Sequence, residues 1–413
     1  MKKQLPLIFL TFFMSHTVLA SDEPTCQKPK NTEQYQNKFS IGCLSEGMSS
    51  FLRLNPAISS KGYMNAEGKI IIPPTYSLAE DFHQGRAIVS NDKHQAVIDK
   101  TGKLIVPFKY DEITNFNQFG LASVKLNDEY GLIDTNGKIV LPIAYDSRIE
   151  FYDDLARVQK KGTVGYIDKT AKTVIPLKYG DLSQDFHNGI AVVALNSCPI
   201  DVETTCQTIY GAINKEGKAV LPFEYYKLDD FTQNFSIATN KQGTGALDKT
   251  GKVIIPFIYN DSSGVDTVSK FTNGYSVVRK NVGNTDKYGA YDEQGNIVIP
   301  FEYDHLADFN EQGYVVAVKQ GKVGIIDKYN KVSLPFGSNS LEHWTNNLFL
   351  ITTPNHERTG LIDNTGKEII PIDHYVNFAF SNYEASFFKE KGDSYIVYST
   401  RTDGKMYINI VPK

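Results

Sequence analysis

A proline marks the same place in nine successive stretches of this chain: Pro73, Pro107, Pro142, Pro176, Pro222, Pro256, Pro300, Pro335 and Pro371, at spacings of 34, 35, 34, 46, 34, 44, 35 and 36 residues. Eight residues before every one of them stands Asp or Asn: Asn65, Asp99, Asp134, Asp168, Asn214, Asp248, Asp292, Asp327 and Asp363. A fixed offset within the unit and looser spacing between units is the signature of a repeat array. Each unit is too small to bury its own apolar face and does so against its neighbours.

The third copy, residues 130–145, reads YGLIDTNGKIVLPIAY. Leu132 and Ile133 begin a strand, residues 134–138 reverse it around Gly137, and residues 139–143 return it; glycine supplies the positive φ such a turn needs. Ala171 and Asn330 replace that glycine in copies four and eight. Asparagine tolerates the conformation but alanine there costs about 1 kcal/mol, so a turn of another type is expected at Ala171. The two residues before the proline are aliphatic in nearly every copy, as in Ile71 and Ile72, Val140 and Leu141, or Ile254 and Ile255. Neighbours on a strand point to opposite faces, so this strand is expected to be covered on both sides. Proline lacks an amide donor and belongs where ladder pairing stops. Tyrosine follows three residues later in seven copies, at Tyr76, Tyr110, Tyr145, Tyr179, Tyr225, Tyr259 and Tyr303. A loop carrying Phe and then Gly (Phe82 and Gly85, Phe186 and Gly189, Phe271 and Gly274) leads to a third short strand, such as 86–89, 121–124 or 190–193. The expected fold is all-β, about nine three-stranded repeats stacked as an open superhelix. The alternatives are two shorter arrays or a closed β-propeller, whose blades usually take four strands over about 40–45 residues, more than these units hold.

These positions are similar to the unit of the WG-repeat family of bacterial β-repeat proteins, which runs Trp-Gly, Ile-Asp, Gly-Lys, Val-Ile-Pro, Tyr-Asp. The third copy matches it at Gly131, Ile133, Asp134, Gly137, Lys138, Val140, Leu141, Pro142, Tyr145 and Asp146. The naming tryptophan is replaced by Tyr130, Tyr210 and Tyr288 in three copies and by Val164, Thr244 or Val323 in others; the one tryptophan, Trp344, falls between copies eight and nine. The resemblance covers roughly three quarters of the chain. It implies a repeat architecture and, by analogy, a binding or surface role, and it brings no general catalytic motif.

Around the nine repeats of 61–375, residues 1–20 read as a signal peptide: Lys2 and Lys3, an apolar run over 5–14, then Val18 and Ala20 before Ser21. Cleavage is expected near Ala20, giving a periplasmic or secreted protein. Later stretches are too short or too polar to span a bilayer as a helix. Residues 21–60 are expected to form an N-terminal cap, and 376–413 capping strands in which 395–398 and 406–410 flank an Asp403-Gly404 turn. The four cysteines form two local pairs, Cys26 with Cys43 and Cys198 with Cys206. Export makes disulfides the natural reading of both, whereas a metal site would call for a CxxC spacing or a nearby histidine. Two insertions lengthen the basic spacing, one holding Cys198 and Cys206 and the other polar and rich in Gly and Ser near 260–286. Insertions on one face of a repeat array often carry binding. The net charge is −4, or −6 without Lys2 and Lys3, which gives no bulk attraction to nucleic acid.

Chemistry is sought in columns. One Asp per repeat suits turn capping, whereas calcium sites cluster their acids in one loop. Lys69, Lys103, Lys138, Lys172, Lys218, Lys252, Lys331 and Lys367 form a second column. It is either a basic stripe for an anionic glycan, lipid headgroups or an acidic partner, or a set of solvated turn tips. The tyrosines, Tyr110, Tyr145 and Tyr179 among them, are either a sugar-stacking ladder or packing residues. The eight histidines lack metal-ligand spacing, and GxSxG, HExxH and phosphate-binding glycine loops are absent. No catalytic residue, metal or cofactor is therefore expected. The function expected is a monomeric, non-catalytic scaffold of the bacterial cell envelope that engages another envelope protein. The alternative is a module binding peptidoglycan or surface polysaccharide.

Overall fold

The computed structural model describes residues 26–54, 60–197, 207–231, 234–260, 266–283, 285–379, 384–391, 394–400 and 406–412. The leader and the pair Cys198 and Cys206 lie outside the described residues. The chain divides into two compact units, Met1–Ala144 and Tyr145–Lys413.

Each of the nine prolines lies in its own small antiparallel sheet, with strands in chain order across the sheet. The sheet around Pro256 is typical: Lys227–Leu228, Phe235–Asn240, Gly243–Asp248 and Val253–Tyr259. Three strands are long, as the repeat implies, and a two-residue strand adds a fourth edge. The phase differs from the sequence unit. The strand after a Phe–Gly loop pairs forward, so Ile190–Ser197 joins Gln207–Asn214 from Ile190↔Asn214 to Ser197↔Gln207. Each sequence copy thus straddles two sheets. The crossing is short: Ala219–Tyr225 ends one sheet, and after Tyr226 alone Lys227–Leu228 opens the next. The Tyr226 amide already donates to Thr239 O there, at 2.8 Å.

Why proline and glycine recur is visible in the register. Thr244 pairs with Tyr259 and Ala246 with Ile255, so Gly245 alone faces Pro256, Phe257 and Ile258. The outer strand bulges there, and its proline sits where no amide donor is required. A Cβ on Gly245 would lie 2.5 Å from Ile255 O. This is the glycine of the Trp-Gly position, and the bulge is what requires it.

Successive sheets share their cores within each unit. Ile190, Val192, Ala212, Leu221 and Tyr225 of one sheet pack with Leu228, Phe231, Ala238 and Leu247 at the next. The tyrosines after the proline are part of this packing. Tyr225 meets Phe257 at 6.1 Å between ring centroids, Tyr259 meets Phe301 at 6.2 Å and Tyr303 meets Phe336 at 6.2 Å. Such aromatic pairs contribute about 0.5–1.5 kcal/mol beyond the burial of their area. The expected two-sided cover of the outer strand is only half realised. Ile175 and Leu221 are 1% exposed, but their neighbours Val174 and Val220 are 39% and 36% exposed, because these are edge strands at the rim of their sheets.

At the N-terminal side, Phe39–Ser45 and Met48–Arg53 complete the first sheet, and Cys26–Cys43 ties the segment to it. At the other end, Glu368–Ala379 continues into Glu384–Lys391, Ser394–Thr400 and Met406–Pro412, which extend the last sheet to seven strands. Among the described residues no helix is long and apolar enough to cross a membrane.

Candidate binding surfaces

Every sheet has two ends. At one, the Asp turn and the Phe–Gly loop lie side by side, since Phe235, which follows its loop, pairs with the turn residue Asp248. At the other are the hairpin tips and the sites of the insertions.

The Asp column caps its turns. Asp168 Oδ1 accepts from the Thr170 amide at 2.8 Å, the Thr170 hydroxyl at 2.6 Å and the Lys172 amide at 3.1 Å. The Thr170 hydroxyl, then the turn amides, hold the Asp168 carboxyl below its ordinary range. Asn214 makes the same amide contacts, to Glu216 and Lys218 at 3.2 and 2.9 Å. The different turn expected at Ala171 is not formed. Ala171 adopts φ +62° and donates to Asp168 O at 2.8 Å, as the glycines do, because the flanking strand pairing and the Asp168 cap fix the turn geometry. Asn330 likewise has φ +62°.

Lys69, Lys103, Lys138, Lys172, Lys218 and Lys252 are all exposed, as are Lys331 and Lys367. In the second unit the turns are held in register by close approach. A Cβ at Gly217 would meet Ile175 Cγ1 at 3.2 Å, and one at Gly251 would meet Leu221 Cδ2 at 3.1 Å, each in the preceding sheet. The tyrosine ladder is corrected: Tyr110 and Tyr179 are 3% and 4% exposed, and Tyr179 stacks on Phe223 at 6.2 Å. Tyr145 is half-buried with Lys160 Nζ over its ring at 6.0 Å. The phenylalanine one residue after the proline, at Phe223, Phe257, Phe301 and Phe336, is what covers the tyrosines. Its recurrence was there to be read in the sequence.

Among the described residues, Phe–Gly loops of the second unit border clefts, three of which bear on function. The smallest, 310 Å³, is lined by Arg157, Asp181, Asp185, His187 and Asp230 among others. Arg157 Nε lies 3.5 Å from Asp185 Oδ1, and His187 Nε2 lies 3.3 Å from Asp230 Oδ2. Burial pushes both carboxyls above their ordinary range, against the opposing pull of Arg157 and His187. The network links loops of consecutive sheets. Asp185, Asp230 and Asp308 each precede a loop Phe, a recurrence the column reading passed over. The other clefts measure 390 Å³, around Asn188, Phe235, Phe271 and Asn273, and 520 Å³, around Asp308, Glu342 and Trp344. Among the described residues no three His, Cys, Asp or Glu side chains are grouped as metal ligands.

At the hairpin end, the pair Ser197↔Gln207 frames segment 198–206. Segment 261–265 is framed by Asp266, whose carboxylate accepts from the Asn260 and Asn281 amides, both at 2.8 Å. Both insertions therefore spring from the same end of the sheets, with only the sheet around Pro256 between them.

Seven stretches match the family described as WG containing repeat: residues 62–93, 97–130, 130–163, 165–197, 210–242, 245–282 and 288–322, together more than half of the chain. No curated protein matches. Among solved structures, dihydro-heme d1 dehydrogenase NirN, in complex with DHE, is 15% identical, with 83% of this chain and 75% of that one covered and a TM-score of 0.25. Hsv2 of Kluyveromyces lactis is 9% identical over 79% of this chain and 94% of its own, with a TM-score of 0.22. TolB of Acinetobacter baumannii is 12% identical over 64% and 78%, with a TM-score of 0.23. Likeness at this level says nothing about function.

Proposed function

The chain belongs to the WG-repeat family, and from that premise we propose that it is an exported, monomeric, non-catalytic scaffold of the bacterial cell envelope that engages a protein partner through its two insertions. The supporting observation is that the described residues framing segments 198–206 and 261–265 lie at the same end of the sheets in one compact unit, with the sheet around Pro256 between them. A Cys198–Cys206 disulfide would pre-order the longer insertion and lower the entropy lost on binding.

The test is pull-down from envelope extract with the full mature chain and with a variant in which 198–206 is replaced by a two-residue turn. The scaffold reading expects a protein partner retained by the first and lost by the second, at equal melting temperature. Retention only on purified cell-wall sacculi, abolished by Lys→Ala changes at Lys172, Lys218 and Lys252, would replace it with the glycan reading.

A further inference from the structure

The aromatic side chain of the loop is buried at Phe82, Phe116, Phe186, Phe231, Phe271 and Phe309, at 1–6% exposure, and half-buried at Phe151, in the edge strand Phe151–Tyr152. At the last sheet the pattern breaks. The two-residue edge strand is replaced by the longer strand Ser340–Thr345, which turns directly into Leu348–Thr352. The aromatic residue near this tip is Trp344, half-buried, packed against the cluster of Leu350, Leu361 and Ile370 while also lining the 520 Å³ cleft. The indole is larger than the aromatic rings at the other junctions and keeps part of its surface in the cleft.

The remaining walls come from three successive sheets: Thr272 and Asn273, then Asp308, Asn310 and Glu311, then Glu342 and His343. Asn310 is 3% exposed and holds the tips together, its Nδ2 donating to Asn346 O at 3.0 Å and its Oδ1 accepting from the Tyr314 amide at 2.8 Å. Asp308, Glu311 and Glu342 are exposed, and no Lys or Arg lies in the lining. The volume falls within the about 300–1,000 Å³ of small-ligand sites, which combine an apolar wall with a few convergent polar groups.

We propose that this cleft is a saccharide site for an amine-bearing sugar oligomer. The part of the indole that lines the cleft can pack against a sugar ring and attract a nearby ammonium. The carboxylates accept hydroxyl and ammonium protons, and the same three groups repel uronates. The site is separate from the insertions at the opposite end of the sheets, so it does not depend on the scaffold reading.

Trp344 is the sole tryptophan and reports on its own site. The full mature chain is titrated with glucosamine tetramer, galacturonate trimer and tetralysine, following tryptophan emission and calorimetric heat. The expected result is saturable binding of the glucosamine tetramer and none of the galacturonate. Binding weakens at least tenfold in D308N/E342Q and in W344F (the latter followed by heat), at unchanged melting temperature, and is unaffected by loss of 198–206. No response to the glucosamine tetramer, equal binding of galacturonate, binding of tetralysine alone, or binding indifferent to D308N/E342Q would overturn the assignment.

Discussion

The Asp turns and the hairpin tips are both tight reversals with glycine at positive φ, yet they live under different constraints. In the second unit the turn glycines Gly217, Gly251, Gly295 and Gly366 each have an atom of the preceding sheet within 2.5–3.2 Å of where a Cβ would be. At the hairpin tips Gly162, Gly283 and Gly321 have nothing within 4 Å. The Asp turns are therefore part of the inter-sheet packing and keep their length from copy to copy. The other stands clear and accepts insertions. A repeat protein can vary only where its neighbours do not touch it, so binding is sought at the free end, or at the junction where the repeat itself gives way.

The contrast can be broken most severely from between the ends. Tyr259 is 1% exposed, lies against Phe301 and shares a 2.8 Å hydrogen bond with the Tyr291 hydroxyl. Tyr259→Ala is expected to cost about 3–5 kcal/mol in chemical denaturation. Gly295→Ala follows, at about 3 kcal/mol, because the new methyl meets Ile254 O at 2.7 Å as well as an unfavourable φ of +88°. Gly162→Ala, at φ +73° in open space, should cost only about 1 kcal/mol. Equal losses at Gly295 and Gly162 would erase the distinction between the ends.

Asp168→Ala removes the acceptor of two turn amides and is expected to cost about 1 kcal/mol, while Asp168→Asn, copying Asn214, is expected to be nearly neutral at pH 7. The same pair reads pH. With its folded value lowered, Asp168 contributes stability above the unfolded carboxyl pKa of about 3.9 that is lost as pH falls through the folded value. Melting temperature against pH should thus fall less steeply in acid for Asp168→Asn than for the unaltered chain. The smallest effect is reserved for the exposed column. Lys172→Ala, Lys218→Ala and Lys252→Ala should each leave stability within about 0.5 kcal/mol, whatever they do to binding.

Much of the fold was legible in the chain because stacking forces each copy to meet the same steric demands. The proline, the capping Asp and the turn glycine each answer one local requirement, so they recur at fixed offsets. The tyrosines were legible as a column, with packing one of its two readings, but not which of them are covered or by what. Whether Tyr179 faces solvent depends on Phe223, which lies 44 residues further along and in the next sheet. Ala171 was misread for a related reason, since propensity governs an isolated turn whereas here the paired strands on either side dictate its φ.

The sequence by itself determined the β-repeat, its period, its turn chemistry and where it is interrupted, because those follow from bonds and contacts only a few residues apart. The tertiary structure alone decided which sheet each strand joins, which columns are bare and which covered, and that Trp344 lies in a cleft among acids from neighbouring sheets. Those outcomes depend on surfaces meeting across tens of residues, and no spacing within a copy records which neighbour a side chain will touch.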